Sequence, residues 1–87
     1  MNNNTIAARL RQHARELDTE RGNLLRVRAY RRAADVIAET DDPLAALVEA
    51  GGYRNLLALP GIGPHIALAI ESLVRTGGMP AKASRSA

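Results

Sequence analysis

The 87-residue sequence contains no cysteine, no phenylalanine and no tryptophan, and it has only two tyrosines. Without cysteine there are no disulfide bonds, no thiolate metal ligands and no cysteine nucleophile. A core that lacks phenylalanine and tryptophan has to be built from aliphatic side chains, which favours closely packed helices over a β-sheet. No apolar run is long enough to cross a membrane and residues 1–5 do not begin a signal peptide, so we expect a cytoplasmic protein without membrane contact.

Lysine is also scarce, since the sequence has eleven arginines but one lysine, Lys82. Eight arginines lie within residues 9–32 against three acids, whereas residues 35–58 hold five acids and one arginine. The net charge of +3 therefore hides a basic first half and an acidic middle. An arginine-rich surface is typical of proteins that bind a polyanion, because the planar guanidinium donates a fork of hydrogen bonds to phosphate. On charge alone, a solvated helical face is the favoured explanation of the same charges.

Apolar residues recur at helical spacing, and no strand pattern of period two is present. The predicted helices cover residues 5–21, 25–40, 43–50, 53–58 and 64–76. Thr5 is expected to cap the first helix, and Asp42 with Pro43 is expected to start the third. Four residues of the second helix share one apolar face and are expected to point into the core: Val27, Tyr30, Ala34 and Ile37.

These elements predict an all-α fold, a compact bundle of about four to five short helices. The folded domain is expected over residues 5–77, between a flexible N-terminus at residues 1–4 and a flexible tail at residues 78–87. The tail consists mainly of alanine, serine and charged residues, a composition that does not build a core.

The stretch LPGIGP, residues 59–64, separates the last two predicted helices. Pro60 and Pro64 lack a backbone N–H and resist helix interiors, and Gly61 and Gly63 permit backbone shapes that other residues avoid. N–H groups left uncovered by side chains at a helix N-terminus form a site for an anion such as phosphate. A tight turn without a ligand explains a lone Gly-x-Gly, but the apolar run before it and the apolar helix after it favour the phosphate site.

LPGIG, Leu59 to Gly63, resembles a helix-hairpin-helix motif, which binds the DNA backbone without reading its sequence. RVRAYRRAADVI, Arg26 to Ile37, is similar to the second helix of the N-terminal domain of the family X DNA polymerases, which include DNA polymerase β and the bacterial PolX enzymes. The resemblance runs from about Ile6 to Gly78 with the elements in the same order, and no polymerase palm or fingers accompany it. It implies a small DNA-binding domain standing by itself, with a role in DNA repair or processing.

Both the hairpin and the resemblance imply that backbone amides hold a DNA phosphate while arginines of the second helix add charge. The DNA-binding residues expected on this basis are Gly61, Ile62, Gly63, Pro64, His65, Arg26, Arg28, Arg31 and Arg32. The resemblance also implies a monovalent cation, Na⁺ or K⁺, held at the hairpin by the backbone carbonyls of Leu57, Leu59 and Ile62. The expected partner is DNA in gapped, nicked or single-stranded form.

Some members of the resembled family are also lyases, which remove a 5′-deoxyribose phosphate through a Schiff base on a lysine of the helix after the hairpin. The matching positions here hold His65 and Ala69, and no lysine occurs before Lys82. Because a Schiff base needs a primary amine, we expect no enzyme and no catalytic residue. Two alternatives stay open: a protein-interaction or dimerisation module of the same fold, which the acidic middle supports, and a lyase that uses another amine.

Three further side chains allow two interpretations each. His65 either donates to a phosphate or is simply an exposed residue at a helix start. Tyr30 can stack on a base or sugar, although its place on the apolar face favours core packing with the hydroxyl at the rim. His13 lies on the apolar side of the first helix, so we expect it at the edge of the core. A metal site is not expected, because the two histidines are isolated and no acidic cluster accompanies them.

Overall fold

The computed structural model describes residues 1–19 and 24–80. In this part of the chain, four α-helices and one 3₁₀ helix follow one another: α1 (Asn3–Thr19), α2 (Leu24–Glu39), α3 (Leu44–Gly51), the 3₁₀ helix (Gly52–Ala58) and α4 (Pro64–Thr76). No strand occurs within these residues, and the predicted all-α fold is confirmed. The predicted end of the first helix near Arg21 and most of the predicted tail, residues 81–87, lie outside the described residues.

The core is aliphatic apart from one tyrosine, and alanines are prominent in it. Helices α1 and α2 make the most extensive contact between two elements, while α3, the 3₁₀ helix and α4 complete the bundle. Ala7, Ala14, Ala33 and Ala34 are buried between larger side chains, and small residues at such positions let helices approach closely. The four residues of α2 that were expected to face the core are all buried, as are Ile66, Ile70 and Leu73 of α4.

The side chain of Asn2 caps α1. Its Oδ1 accepts the N–H of Thr5 at 2.8 Å, and its carbonyl accepts the N–H of Ile6 at 3.0 Å. The prediction that Thr5 is the cap is therefore wrong, because the asparagine three residues earlier satisfies the free N–H group at the helix start. Residues 3 and 4, which the sequence assigned to a flexible N-terminus, belong to the helix.

Asn3 fastens the start of α1 to the connection between α2 and α3. Its Nδ2 donates to the carbonyls of Thr40 at 3.0 Å and Asp42 at 2.8 Å, and its Oδ1 accepts the N–H of Leu44 at 2.9 Å. Pro43 occupies the cap position of α3 and no side chain caps from there, so the prediction that Asp42 caps α3 is wrong. The free N–H of Leu44 is instead satisfied from a helix that lies far away in the sequence.

Candidate nucleic-acid interface

The hairpin between the 3₁₀ helix and α4 is a tight turn anchored in the core. The N–H of Ile62 donates to the carbonyl of Leu59 at 3.3 Å, and the side chain of Ile62 is only 5% exposed. Gly61 has a φ of +79°, a left-handed conformation that favours glycine. Gly63 is the N-cap of α4 with extended backbone, and Pro64 opens the helix. The side chain of Ile62 therefore anchors the turn in the core.

Four N–H groups of the hairpin have no acceptor among the described residues: those of Gly61, Gly63, His65 and Ile66. The first intrahelical bond of α4 is donated by Ala67 to the carbonyl of Gly63 at 2.8 Å. Of the five hairpin residues predicted to hold a phosphate, Ile62 uses its N–H within the turn and Pro64 has none. Sequence reasoning missed Ile66, although the third residue of any helix has an N–H without an intrahelical partner.

The two glycines of the hairpin have different surroundings. A Cβ on Gly63 would meet no atom within 4 Å, so this backbone faces open space. A Cβ on Gly61 would lie 3.1 Å from Cδ of Arg32 and 3.7 Å from a methyl group of Val36. The face of α2 that carries Arg32 and Val36 therefore packs on the hairpin, and a ligand can approach the backbone at Gly63.

Two of the four predicted arginines lie beside the hairpin. The aliphatic part of Arg32 packs against Gly61. Arg26 lies close enough to His65 and Tyr30 to affect the pKa of both side chains. Both arginines are exposed, so they place positive charge near the start of α4.

The other two predicted arginines point elsewhere. Arg31 lines a groove between α1 and α2 together with Arg11, Arg15 and Asp35. Arg28 is exposed two residues before the buried Tyr30, which places it on the opposite side of α2 from the core. The helix spacing alone did not show which arginines the hairpin would meet, because this depends on how α4 packs against α2.

Tyr30 connects the core to the hairpin. Its hydroxyl forms a hydrogen bond with Nε2 of His65 at 3.0 Å, and the ring itself is 2% exposed. The edge of the ring also meets His13, with ring centroids 4.8 Å apart, and His13 lies 3.6 Å from the carboxylate of Glu16. The core position of Tyr30 and the core-edge position of His13 are confirmed, whereas the bond to His65 was not predicted.

Burial lowers the pKa of His65 below its ordinary value of 6.5, and the nearby charges of Arg26 and His13 lower it further. The imidazole is therefore neutral at pH 7. Burial raises the pKa of Tyr30, an effect that Arg26 partly opposes, so the phenol stays protonated. A phosphate at the start of α4 would stabilise the protonated form of His65 and oppose the shift of its pKa.

The three carbonyls expected to hold a monovalent cation have the right chemistry for one. The carbonyl of Leu57 receives no N–H among the described residues, because Pro60, three residues on, has none to donate. The carbonyl of Ile62 also receives none, and that of Leu59 accepts only the N–H of Ile62. Carbonyl oxygens suit a hard cation, and two of these three accept no hydrogen bond among the described residues, so the donor set fits the implied ion.

Two other kinds of site do not arise in the described part of the chain. No group of three or more histidine, aspartate or glutamate side chains is placed to hold a metal ion there. No helix in that part has both the length and the apolar character needed to span a bilayer.

The family model of the helix-hairpin-helix domain matches residues 1–79. The chain belongs to this family, whose domains generally bind DNA without sequence specificity. Searches of curated proteins and of solved structures return no match. No named relative supports the finer resemblance to the N-terminal domain of the family X polymerases, so this resemblance stays a prediction.

Proposed function

We propose that this protein binds DNA without sequence preference, by holding a backbone phosphate at the start of α4. The observation that carries the proposal is a set of four N–H groups, at Gly61, Gly63, His65 and Ile66, that find no acceptor in the described part of the chain. At a helix N-terminus such groups and the helix dipole attract the same anion. The open space around Gly63 lets a phosphate come into contact with the backbone.

The charges around the hairpin support an anionic ligand. Residues 50–70 contain no aspartate or glutamate, and the first turn of α4 has no acidic side chain. Arg26 and Arg32 add positive charge from α2, Arg26 near His65 and Arg32 beside Gly61. Because these groups recognise phosphate and not base edges, the binding is independent of sequence.

Within this proposal, the finer expectations concern the form of DNA and the cation. The resemblance to the family X domain favours DNA with a gap, a nick or a single-stranded segment, in repair or processing. A Na⁺ or K⁺ ion held by the carbonyls of Leu57, Leu59 and Ile62 would supply a positive charge that faces the same phosphate.

We also propose that the protein is not a 5′-deoxyribose phosphate lyase. Neither alanine nor histidine carries a primary amine, which a Schiff base requires. In addition, Ala69 is only 1% exposed and His65 is bonded to Tyr30. The protein is incubated with DNA that carries an abasic site and treated with borohydride. We expect it to form no more trapped adduct than the Lys82→Ala variant does. A strong adduct that survives Lys82→Ala would contradict the proposal and implicate the N-terminal amine.

The central experiment is a salt titration of binding to a fluorescent gapped duplex. Each phosphate that the protein neutralises is expected to contribute about −0.9 to the slope of log K against log salt. Gly63→Val places a side chain where the phosphate would lie. The charged hydrogen bonds that are lost contribute about 1.5–3 kcal/mol, so we expect roughly 10- to 100-fold weaker DNA binding.

Ala8→Val is the matched control, because Ala8 is exposed on the solvent side of α1. It is expected to bind like the unmodified protein. Normal binding by a folded Gly63→Val variant would show that the hairpin is only a turn. Absence of binding to duplex and gapped DNA at low salt, together with self-association or capture of a protein partner, would favour the interaction module.

A further inference from the structure

A second basic surface lies on a different side of α2 from the hairpin. It is a groove of about 330 Å³ between α1 and α2, lined by Arg11, Arg15, Arg31 and Asp35. Arg11 and Arg15 are one helical turn apart on α1, and Arg31 and Asp35 are one turn apart on α2. The two pairs therefore face each other across the groove, and the described residues that line it are three arginines and one aspartate.

The groove and the hairpin use different faces of the same helix. Arg32 and Val36 lie against Gly61, whereas Arg31 and Asp35, one residue earlier in each case, line the groove. Successive residues of a helix are about 100° apart, so the two sets of side chains point in different directions. A ligand at the start of α4 thus leaves the groove accessible.

The single acid does not neutralise the groove. Arg11 donates to Asp35 at 2.9 Å, but the two side chains are 44% and 70% exposed, and ion pairs this exposed are weak. Arg31 forms no hydrogen bond or ion pair within the described residues. Its planar guanidinium, and that of Arg11 when it leaves Asp35, suit bidentate contacts with phosphate.

We infer that this groove binds the phosphate backbone of a second DNA segment while the hairpin holds the first. Charge complementarity carries the inference, and the choice of DNA over an acidic protein rests on the function proposed for the hairpin. The protein would then hold two DNA segments together, for example the two arms of a bent or interrupted duplex.

Capture of one duplex through another tests this inference. An immobilised duplex is saturated with protein, washed, and exposed to a fluorescent duplex of different sequence. The unmodified protein is expected to retain the second duplex. Arg11→Gln/Arg31→Gln is expected to keep the first duplex and lose the second, with a salt slope reduced by about 0.9 for each lost phosphate contact. Both arginines are exposed, so the double variant is expected to fold.

A gain of affinity provides an independent measurement. Asp35→Asn removes the only acid among the described residues that line the groove and frees Arg11. DNA binding is therefore expected to tighten by about two- to fivefold, as the loss of an exposed ion pair allows. Glu49→Gln makes the same change of charge at an exposed position of α3 and is expected to have a smaller effect.

Four outcomes separate this inference from the function proposed for the hairpin. If Gly63→Val weakens binding while the double arginine variant still captures the second duplex, the groove inference is wrong and the hairpin function stands. If a protein dimer captures the second duplex, the double arginine variant also retains that duplex, and the groove inference is again wrong. If Gly63→Val has no effect but both groove measurements respond, the groove binds DNA and the hairpin function fails. Arginine-dependent binding to polyglutamate in preference to DNA would assign the groove to an acidic protein.

Discussion

The hydroxyl of Tyr30 lies 3.0 Å from Nε2 of His65, which links a buried side chain of α2 to the second residue of α4. The contact fixes the start of α4 relative to α2, and the free N–H groups of the hairpin lie at that start. It also places an ionisable imidazole within the proposed phosphate site.

Tyr30→Phe keeps the buried ring and removes only the hydroxyl. We expect the free energy of unfolding to fall by about 0.5–1.5 kcal/mol, the net value of one hydrogen bond. Denaturant unfolding followed by circular dichroism measures this change, and the imidazole resonances of His65 are expected to shift with it. Unchanged stability and unchanged His65 resonances would show that the bond does not form in solution.

Low pH is expected to weaken the fold and strengthen DNA binding. The pKa of His65 is lowered in the folded protein, so below its ordinary value of 6.5 the unfolded chain binds more protons. Stability therefore falls as the pH drops from that value toward the pKa of the folded state. Bound phosphate favours the protonated imidazole, so DNA affinity is expected to rise over the same range.

His65→Gln separates the two effects. The charged or titratable groups that face His65 are Arg26, His13 and Tyr30, and His13 is the other histidine among them. The variant is expected to lose the pH dependence of DNA affinity between pH 7.5 and 6, measured at constant ionic strength. A dependence that persists in His65→Gln and disappears in His13→Gln would assign it to His13.

The two hairpin glycines are expected to respond differently to valine. Gly61→Val forces a β-branched residue to a φ of +79° next to Arg32, so we expect a loss of about 2–3 kcal/mol in the free energy of unfolding. Gly63 has a φ of −89° and open space around it, so Gly63→Val is expected to cost less than about 1 kcal/mol. Chemical denaturation of both variants measures the difference. Equal losses would mean that Gly61 does not keep its left-handed conformation in solution.

Asn3→Ala removes two hydrogen bonds from α1 to the connection between α2 and α3, and one to the first residue of α3. We expect it to lower the free energy of unfolding by about 1–2 kcal/mol, since the N–H of Leu44 loses its acceptor. Asn4→Ala is the matched control, because Asn4 is exposed and makes no such contact. DNA affinity is expected to stay unchanged in both variants. Equal stability of the two would show that Asn3 does not cap α3.

Much of the helical pattern could be read from the sequence because it depends on local periodicity. The spacing of Val27, Tyr30, Ala34 and Ile37 places them on one face of α2, and all four are buried. Pro64 at the start of α4 and Gly77 just after its end are local signals that need no knowledge of the rest of the chain. The hairpin is also encoded locally, because proline and glycine at these positions end one helix and allow a tight turn before the next.

The long-range contacts could not be predicted in the same way. Asn3 caps a helix that begins 41 residues later, and the spacing of one helix says nothing about such a partner. The sequence grouped Arg26, Arg28, Arg31 and Arg32 as one phosphate-binding set, but the packing of α2 between α1 and the hairpin divides them.

By itself, the sequence determined that this chain forms short helices around an aliphatic core and that a glycine hairpin exposes backbone N–H groups. These properties follow from side-chain periodicity and from the backbone restrictions of proline and glycine. Only the tertiary structure decided which N–H groups remain free, which arginines stand beside them, and that His65 is bonded to Tyr30. These relationships depend on how the helices pack, because packing joins residues that are far apart in the chain.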